Sequence, residues 1–543
     1  MKNLNHIFTT ILVGIACLAL SQITRAAGPQ APATALANGN TADGDGALAG
    51  LTTGFYNSAF GFLSLLSNGS ASFNTGVGAG SLLVNTAGSN TAIGAGALLS
   101  NSTGEGNTAS GTFALFTNTT GSFNTAVGDV ALLQNTTGAF NSACGQGALG
   151  SNTIGNQNTA IGGGALFSNT EGSYNTAVGF QALNDNTLGT QNTASGFQAL
   201  FSNTEGNQNL ANGYQALAFN STGDNNTANG FQALFFNDTG NNNTATGYQA
   251  LADNTSGEYN TADGLQALFS NTTGSTNTAI GPGALFHNTD GGGNTAIGAN
   301  FVLYTNNHGS GNTAIGGFAL ATNGDGNYNT AYGWATLSNN VSGSFNTAIG
   351  VNAGQGITTA SNVICIGKDV LGADVDNSCY IGNIIGSTID PGTAAAVGVD
   401  ATGKLGTVAS SRRFKRDIEP MNKTSEAILS LKPVTFHYKS DPKNTACFGL
   451  VAEEVAKVNR DLVVRDKNGE IYSVRYDAVN AMLLNEFLKE HRKVQEQETT
   501  IAQMKKGMDA LVAHVKEQDS KIQKVSDRIG IEKATTKVVV NNP

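Results

Sequence analysis

The chain has 543 residues, with 28 Lys and Arg against 38 Asp and Glu and a formal net charge of −10. No Lys or Arg lies between Arg25 and Lys368, whereas 25 of the 28 basic residues lie from Lys404 onward. A region without basic side chains repels phosphate, so we expect no nucleic-acid partner. The five Cys and six His show no metal-ligand spacing, and neither a metal nor another cofactor is expected.

Residues 1–26 are typical of a secretory signal peptide, with Lys2 near the start, an apolar stretch over residues 7–20 and a small-residue cleavage site before Ala27. We therefore expect a secreted or cell-surface protein. Cys17 is a weak match to a lipid-attachment site, which makes a lipoprotein the alternative. No later segment is apolar enough to predict a transmembrane helix in the mature chain.

After a linker at 27–39, residues 40–350 consist of repeats of 17 residues. Between Asn40 and Asn346 one phrase restarts nineteen times, and the copy at Asn175 reads NTAVGFQALNDNTLGTQ. Such a strict period predicts a stack of equivalent coils. Each copy holds two turn signals and leaves no room for a helix, so the fold class is mostly β, with a parallel β-roll or solenoid rod.

If the coils stack, the same side chains lie above one another inside the rod. The recurring Ala-Leu pair forms a continuous apolar ridge, and the first Asn of each copy forms a ladder of side-chain amides. Nineteen coils at about 4.8 Å give a rod of about 90 Å. Because large apolar side chains are few, we expect several chains to share one core.

The rod surface offers an alternative function. Thr follows the leading Asn in 16 of the 19 copies, the exceptions being Ser58, Ser142 and Leu210. A regular Thr row is able to match ice or a polysaccharide. The favoured interpretation is that Thr is simply a good strand and turn residue.

Residues 351–409, where the period decays, are interpreted as a neck of irregular strands and turns. Residues 400–406 predict a hairpin-like turn. Cys365 and Cys379 stand in related phrases with an offset of one residue, which places them on opposite faces of the pleat. Two buried thiols are therefore favoured over a disulfide.

Residues 410–486 predict a small α+β domain. Its pattern contains an amphipathic run at 427–433, a strand at 434–439 and a hairpin that turns at 467–469. Residues 487–530 predict a coiled coil, followed by a tail at 531–543. Its apolar residues recur every seven positions, at Phe487, Val494, Ile501, Met508, Val515, Ile522 and Ile529.

Several phrases in this order resemble a known family. They are SSRRFK from Ser410 to Lys415, LKPV from Leu431, GLVAEEV from Gly449, the hairpin and the terminal heptads. Together they resemble the endosialidase-type intramolecular chaperone, a self-cleaving Ser-Lys peptidase domain of phage tail spikes and of myelin regulatory factor. The resemblance covers roughly residues 410–530.

The resemblance implies a domain that assembles three chains, promotes folding of the β-rod before it and then cuts itself off. It implies Ser410 as nucleophile, Lys415 as its base and Ala409-Ser410 as the cleaved bond. A serine needs such a base, and a lysine serves when burial or nearby cations disfavour its charge. Arg412, Arg413 and Arg416 supply such cations. The expected activity is an autocatalytic endopeptidase without an external substrate; the alternative is that SSRRFK is only a basic strand.

The repeats are similar to the head domains of trimeric autotransporter adhesins, in which NTA-like phrases form a parallel β-roll shared by three chains. We therefore expect a secreted or surface homotrimeric fibre, adhesin-like, with a host-surface or polysaccharide receptor. A phage-type tail fibre, which needs no export signal, is the alternative.

Overall fold

The computed structural model describes residues 34–534 except 386, 391–393, 401–402, 440 and 467. The predicted signal peptide and Cys17 lie outside the described residues, as does the tail from residue 535. The chain divides into two compact units, Met1–Ser387 and Thr388–Pro543.

The first unit is a β-solenoid, which confirms the predicted fold class. Its strands β2 to β22 pair in parallel, and Thr176 lies opposite Thr193, one repeat of 17 residues away. Strand β1 instead pairs antiparallel with β2, which places it at the start of the stack. The elements are β1 Thr34–Leu36, a 3-10 turn Ala37–Gly39, β2 Asn40–Asp43, β3 Ser58–Phe60, β4 Thr75–Val77, β5 Thr91–Ile93, β6 Thr108–Ser110, β7 Thr125–Val127, β8 Ser142–Cys144, β9 Thr159–Ile161, β10 Thr176–Val178, β11 Thr193–Ser195, β12 Leu210–Asn212, β13 Thr227–Asn229, β14 Thr244–Thr246, β15 Thr261–Asp263, β16 Thr278–Ile280, β17 Thr295–Ile297, β18 Thr313–Ile315, β19 Thr330–Tyr332, β20 Thr347–Ile349, β21 Ile364–Ile366 and β22 Cys379–Ile381.

Each coil has one short strand, and the rest of the coil is tight turns. After β11 the backbone turns at Gly196, with φ of 139°, and then passes through left-handed conformations at Gln198 and Leu200. The N–H of Leu200 donates to the carbonyl of Ala216 in the next coil, so the turns are also hydrogen-bonded between coils. The repeated Gly supplies the positive φ that the corner requires.

The core of the solenoid is complete within one chain. The strand Ala and the Ala-Leu pair of each coil are buried, as at Ala194, Ala199 and Leu200. The predicted apolar ridge is therefore observed. The leading Asn residues also form a ladder, in which the backbone N–H of each donates to the side-chain Oδ1 of the preceding one, as from Asn192 to Asn175 at 2.9 Å. Because these side chains are fully buried without a second chain, the argument that the coils need a shared core is wrong.

The solenoid continues past residue 350, into the region predicted as an irregular neck. Strands β21 and β22 extend the parallel sheet, with Ile364 opposite Cys379 and Cys365 opposite Tyr380. Cys365 is buried and Cys379 is exposed. The opposite orientation of the two thiols is as predicted, but the expectation that both are buried is wrong for Cys379.

The described residues of the second unit contain three two-stranded antiparallel sheets and a long helix. Two of the strands, Val397–Val399 and Leu405–Thr407, pair antiparallel where the sequence predicted a hairpin-like turn at residues 400–406. A small core forms around Val455, Leu462, Val463, Val474 and Met482. The elements are β23 Val397–Val399, β24 Leu405–Thr407, β25 Val434–Phe436, β26 Cys447–Gly449, β27 Val463–Arg465, β28 Ile471–Val474, 3-10 segments Arg412–Phe414, Asn422–Ser430 and Arg460–Leu462, and helices α1 Ala452–Val458 and α2 Tyr476–Ala534.

Helix α2 is 59 residues long and starts eleven residues before the predicted coiled coil. Its predicted heptad row is exposed in the single chain. Among the helices of the described part of the chain, none combines the length and apolarity that crossing a membrane requires.

Candidate active site

A tight turn brings the two predicted catalytic side chains together. Ser411 is extended, and the 3-10 segment Arg412–Phe414 follows it. The N–H of Phe414 donates to the carbonyl of Ser411 at 3.0 Å, and the N–H of Lys415 donates to the carbonyl of Arg412 at 3.1 Å. This single turn folds the chain back, so residues five apart face each other.

The resulting contact is a hydrogen bond from Lys415 Nζ to Ser410 Oγ at 3.1 Å. The distance lies in the range for a base that takes a proton from a nucleophile. Ala409, whose carbonyl belongs to the predicted scissile bond, directly precedes Ser410. In the single chain all three residues are exposed.

Three arginines, Arg412, Arg413 and Arg416, lie next to this pair in the sequence. The Arg413 guanidinium lies 4.6 Å from the centre of the Phe414 ring, a cation–π contact that fixes this charge within the turn. Arg416 Nε lies 3.8 Å from a carboxylate oxygen of Asp417. The contact of Lys415 with Ser410 has the parts of a Ser-Lys dyad, and its catalytic role stays a prediction.

A polar cluster around the buried Ser425, which the sequence analysis missed, anchors the segment after the dyad to helix α2. Ser425 is buried and accepts a hydrogen bond from Asn485 Nδ2 at 2.6 Å, and Lys489 Nζ donates to Glu486 Oε1 at 2.6 Å. The hydrogen bonds from Lys489 and Ser425 hold the pKa of Glu486 below its usual value. The detectable signal was a Glu and a Lys three residues apart on one helix.

Gly449, the first residue of the GLVAEEV phrase, lies close to Tyr476 at the start of helix α2. The N–H of Leu450 donates to Tyr476 Oη at 3.0 Å. A Cβ on Gly449 would lie 2.8 Å from that oxygen. A side chain at position 449 would therefore have to displace the Tyr476 hydroxyl from this contact.

Comparison with known proteins identifies this region. Residues 410–464 match the family model described as chaperone of endosialidase. This stretch of 55 residues resembles a chaperone of endosialidase domain. The match begins at Ser410 and ends inside β27. No curated protein and no solved structure matches the chain.

The structure also places the Thr residues of the alternative ice or polysaccharide face. In-register pairing puts successive strand Thr residues next to each other, as at Thr227 and Thr244. Binding by this row stays a prediction. Within the residues that the structure describes, no group of three or more His, Cys, Asp or Glu is placed to hold a metal ion.

Proposed function

We propose that the protein is a secreted or cell-surface homotrimeric fibre, adhesin-like, whose C-terminal domain drives assembly and then cuts the chain between Ala409 and Ser410. A solenoid rod followed by a chaperone of endosialidase domain fits a tail-fibre-like protein. The observation that carries the proposed cleavage is the contact of Lys415 Nζ with Ser410 Oγ at the first residue of that domain.

The apolar row of helix α2 supports self-association. Ile501 is 59% exposed, Met508 62% and Val515 50%, and they share one face through the seven-residue repeat. Apolar rows of this kind are stable in water when they pack against equivalent helices. The residues of this apolar row are compatible with packing of two helices or of three. The number three is inferred from the family.

The proposed cleavage is a displacement at the Ala409 carbonyl. As Lys415 accepts the hydroxyl proton, Ser410 Oγ forms a bond to the Ala409 carbonyl carbon. The bond to the Ser410 backbone nitrogen breaks, and that nitrogen takes a proton and becomes an amine. Water then hydrolyses the ester, which leaves a carboxylate on Ala409 and restores the Ser410 hydroxyl.

Assembly also offers a reason for cleavage to follow folding. The dyad of one chain is exposed to water, and burial of a lysine disfavours its charged form. A neighbouring chain that covers the dyad would remove water and favour the neutral amine. The same step would then link trimer formation to cutting.

Sedimentation equilibrium of the purified protein, combined with the mass and N-terminus of each product, tests this proposal. We expect a trimer whose mature N-terminus lies near Ala27. A monodisperse monomer would contradict the fibre. Residues 1–26 still attached would favour the phage-type alternative.

A further inference from the structure

A row of aromatic rings lies along one face of the solenoid in five consecutive coils. We call it the aromatic strip; its members are Phe180, Phe197, Tyr214, Phe231 and Tyr248. Neighbouring ring centres lie 5.1–5.7 Å apart, with planes within 16° of parallel. Each ring is between 39% and 53% exposed. The strip is a continuous apolar ridge along the stack, of the sort that marks an interaction site.

A ladder of side-chain amides runs beside the strip. Gln198 Nε2 donates to Gln181 Oε1 at 3.0 Å, and the same bond repeats through Gln215, Gln232, Gln249 and Gln266. Each amide nitrogen carries a second N–H beyond the one that it gives to the ladder. The outward strand residues on the other side are also largely polar, and include Ser195, Asn212 and Asn229.

Within the five coils of the strip, the half of each coil that carries the rings has no charged residue, whereas the next coil, which contains Gln266, has the exposed Asp263 in that half. In residues 175–259 every acidic residue lies in the second half of its coil, after the buried Leu, whereas the strip lies in the first half. These acids are Asp185, Glu205, Asp224, Asp238, Asp253 and Glu258, and the segment contains no Lys or Arg. An anionic ligand would be repelled by the rod and would find no cation to bind.

We propose that the aromatic strip and its Gln ladder bind an extended, uncharged polysaccharide. Such a chain repeats an apolar C–H face and hydroxyl groups at intervals comparable to the spacing of the rings. The exposed edges of the stacked rings would contact the C–H faces, the amides would bond the hydroxyls, and contacts from five coils would add along one ligand chain. Interfaces between permanently associated copies are more hydrophobic than other surfaces. The strip has polar residues on both sides, so it fits a polar ligand better than a second copy of the chain, in contrast to the apolar row of α2.

This inference adds a receptor class to the proposed fibre, and it does not depend on self-cleavage. The test incubates the full-length protein with microcrystalline cellulose, chitin beads and anionic alginate beads. We expect binding to cellulose or chitin and none to alginate. Absence of binding to both uncharged polymers would overturn the proposal, as would equal binding to alginate.

Substitutions in the aromatic strip test whether polysaccharide binding depends on it. Phe197→Ala combined with Phe231→Ala should weaken binding at least tenfold, whereas Phe197→Tyr combined with Phe231→Tyr should keep it. The matched control is Tyr328→Ala with Phe345→Ala, another exposed stacked pair with ring centres 5.3 Å apart. Equal binding of the first variant and wild type would refute the assignment.

Sedimentation and product masses are measured on the same samples. If the double variant Phe197→Ala with Phe231→Ala no longer forms trimers, the strip is a contact between copies of the chain and the proposal is wrong. A failure of cleavage or assembly in wild type would instead count against the proposed function and leave the polysaccharide result interpretable.

Discussion

Asn203 donates its side-chain amide to Asn186 Oδ1, 2.8 Å away in the preceding coil, and accepts the amide of Asn220 at 2.8 Å. This second Asn ladder runs parallel to the ladder of leading Asn residues, and its members are fully buried. No buried side-chain nitrogen or oxygen in the described residues lacks a hydrogen-bond partner. The two ladders allow a core of small apolar residues to enclose amides without leaving them unpaired.

Asn203→Ala should therefore destabilise the rod more than its lost volume implies. The change removes the donor to Asn186 and the acceptor of Asn220, and leaving a buried polar group unpaired costs about 1–3 kcal/mol. Denaturant unfolding followed by circular dichroism measures the loss. Asn212→Ser is the control, because Asn212 is exposed and the preceding coil has Ser195 at this position; equal effects of the two changes would contradict the ladder.

Gly196→Ala should disrupt the corner of its coil. A Cβ there would lie 2.3 Å from the carbonyl oxygen of Gly213, at a φ of 139°. Both the clash and the backbone strain oppose folding. Gly507→Ala in helix α2 is the contrast, since a Cβ there meets no atom within 4 Å. It should stabilise the helix by about 0.5–1 kcal/mol, and thermal unfolding of both variants checks the opposite signs.

Asp374 caps the last coils, and its role predicts a response to acid. Its carboxylate accepts the backbone N–H groups of Thr358, Thr359 and Ala360 and both Thr hydroxyls. These bonds, led by the Thr358 hydroxyl, hold the pKa of Asp374 well below its usual value. A lowered folded-state pKa stabilises the fold above the unfolded-state pKa, and this contribution is lost as pH falls through the folded-state pKa.

Amide hydrogen exchange at residues 358–360 measures this effect. Wild type should keep its protection at neutral pH and begin to lose it below about pH 4. Asp374→Asn should already lose protection at pH 7, about tenfold. Asp263→Asn, at an exposed strand position, should leave these amides unchanged. If Asp374→Asn matched wild type at pH 7, the cap would have no energetic role.

Ile501→Asp or Val515→Asp in helix α2 should prevent assembly. Each change places a charge in the apolar row, where packing against another helix would bury it unpaired. We expect misfolded or aggregated rods, measured as loss of soluble trimer by sedimentation. Ala513→Asp, on an exposed position outside the row, should assemble normally. Native rods from the Ile501→Asp chain would show that the helix has no part in chaperoning.

The sequence predicted the solenoid because its period, the inward Ala-Leu pair and the leading Asn are local patterns that repeat. It missed the second Asn ladder, since the Asn at position 203 was interpreted only as a turn signal. It also ended the solenoid too early, because β21 and β22 have Ile-Cys-Ile and Cys-Tyr-Ile where β20 has Thr-Ala-Ile, while the parallel register continues.

The candidate site was predictable in part. The family resemblance predicted Ser410 and Lys415 as partners; the Arg412–Phe414 turn brings their side chains into contact, and their catalytic role stays a prediction. The Ser425 cluster was not predictable, because its members come from segments about 60 residues apart in the chain. Such pairings depend on how the 3-10 segment packs on α2, which local patterns do not determine.

Mass spectrometry of the full-length chain and its dyad variants tests the proposed self-cleavage most directly. Without added protease, wild type should give an acidic product that ends at Ala409 and a basic product that begins at Ser410. Ser410→Ala, Lys415→Ala and Lys415→Arg should stay whole, the last because a guanidinium does not release its proton near neutral pH. Ser411→Ala is the matched control and should still be cut, and uncut Ser410→Ala should still assemble. Cleavage of Ser410→Ala at the same bond would contradict the account, and cleavage before Ser411 would move the nucleophile by one residue.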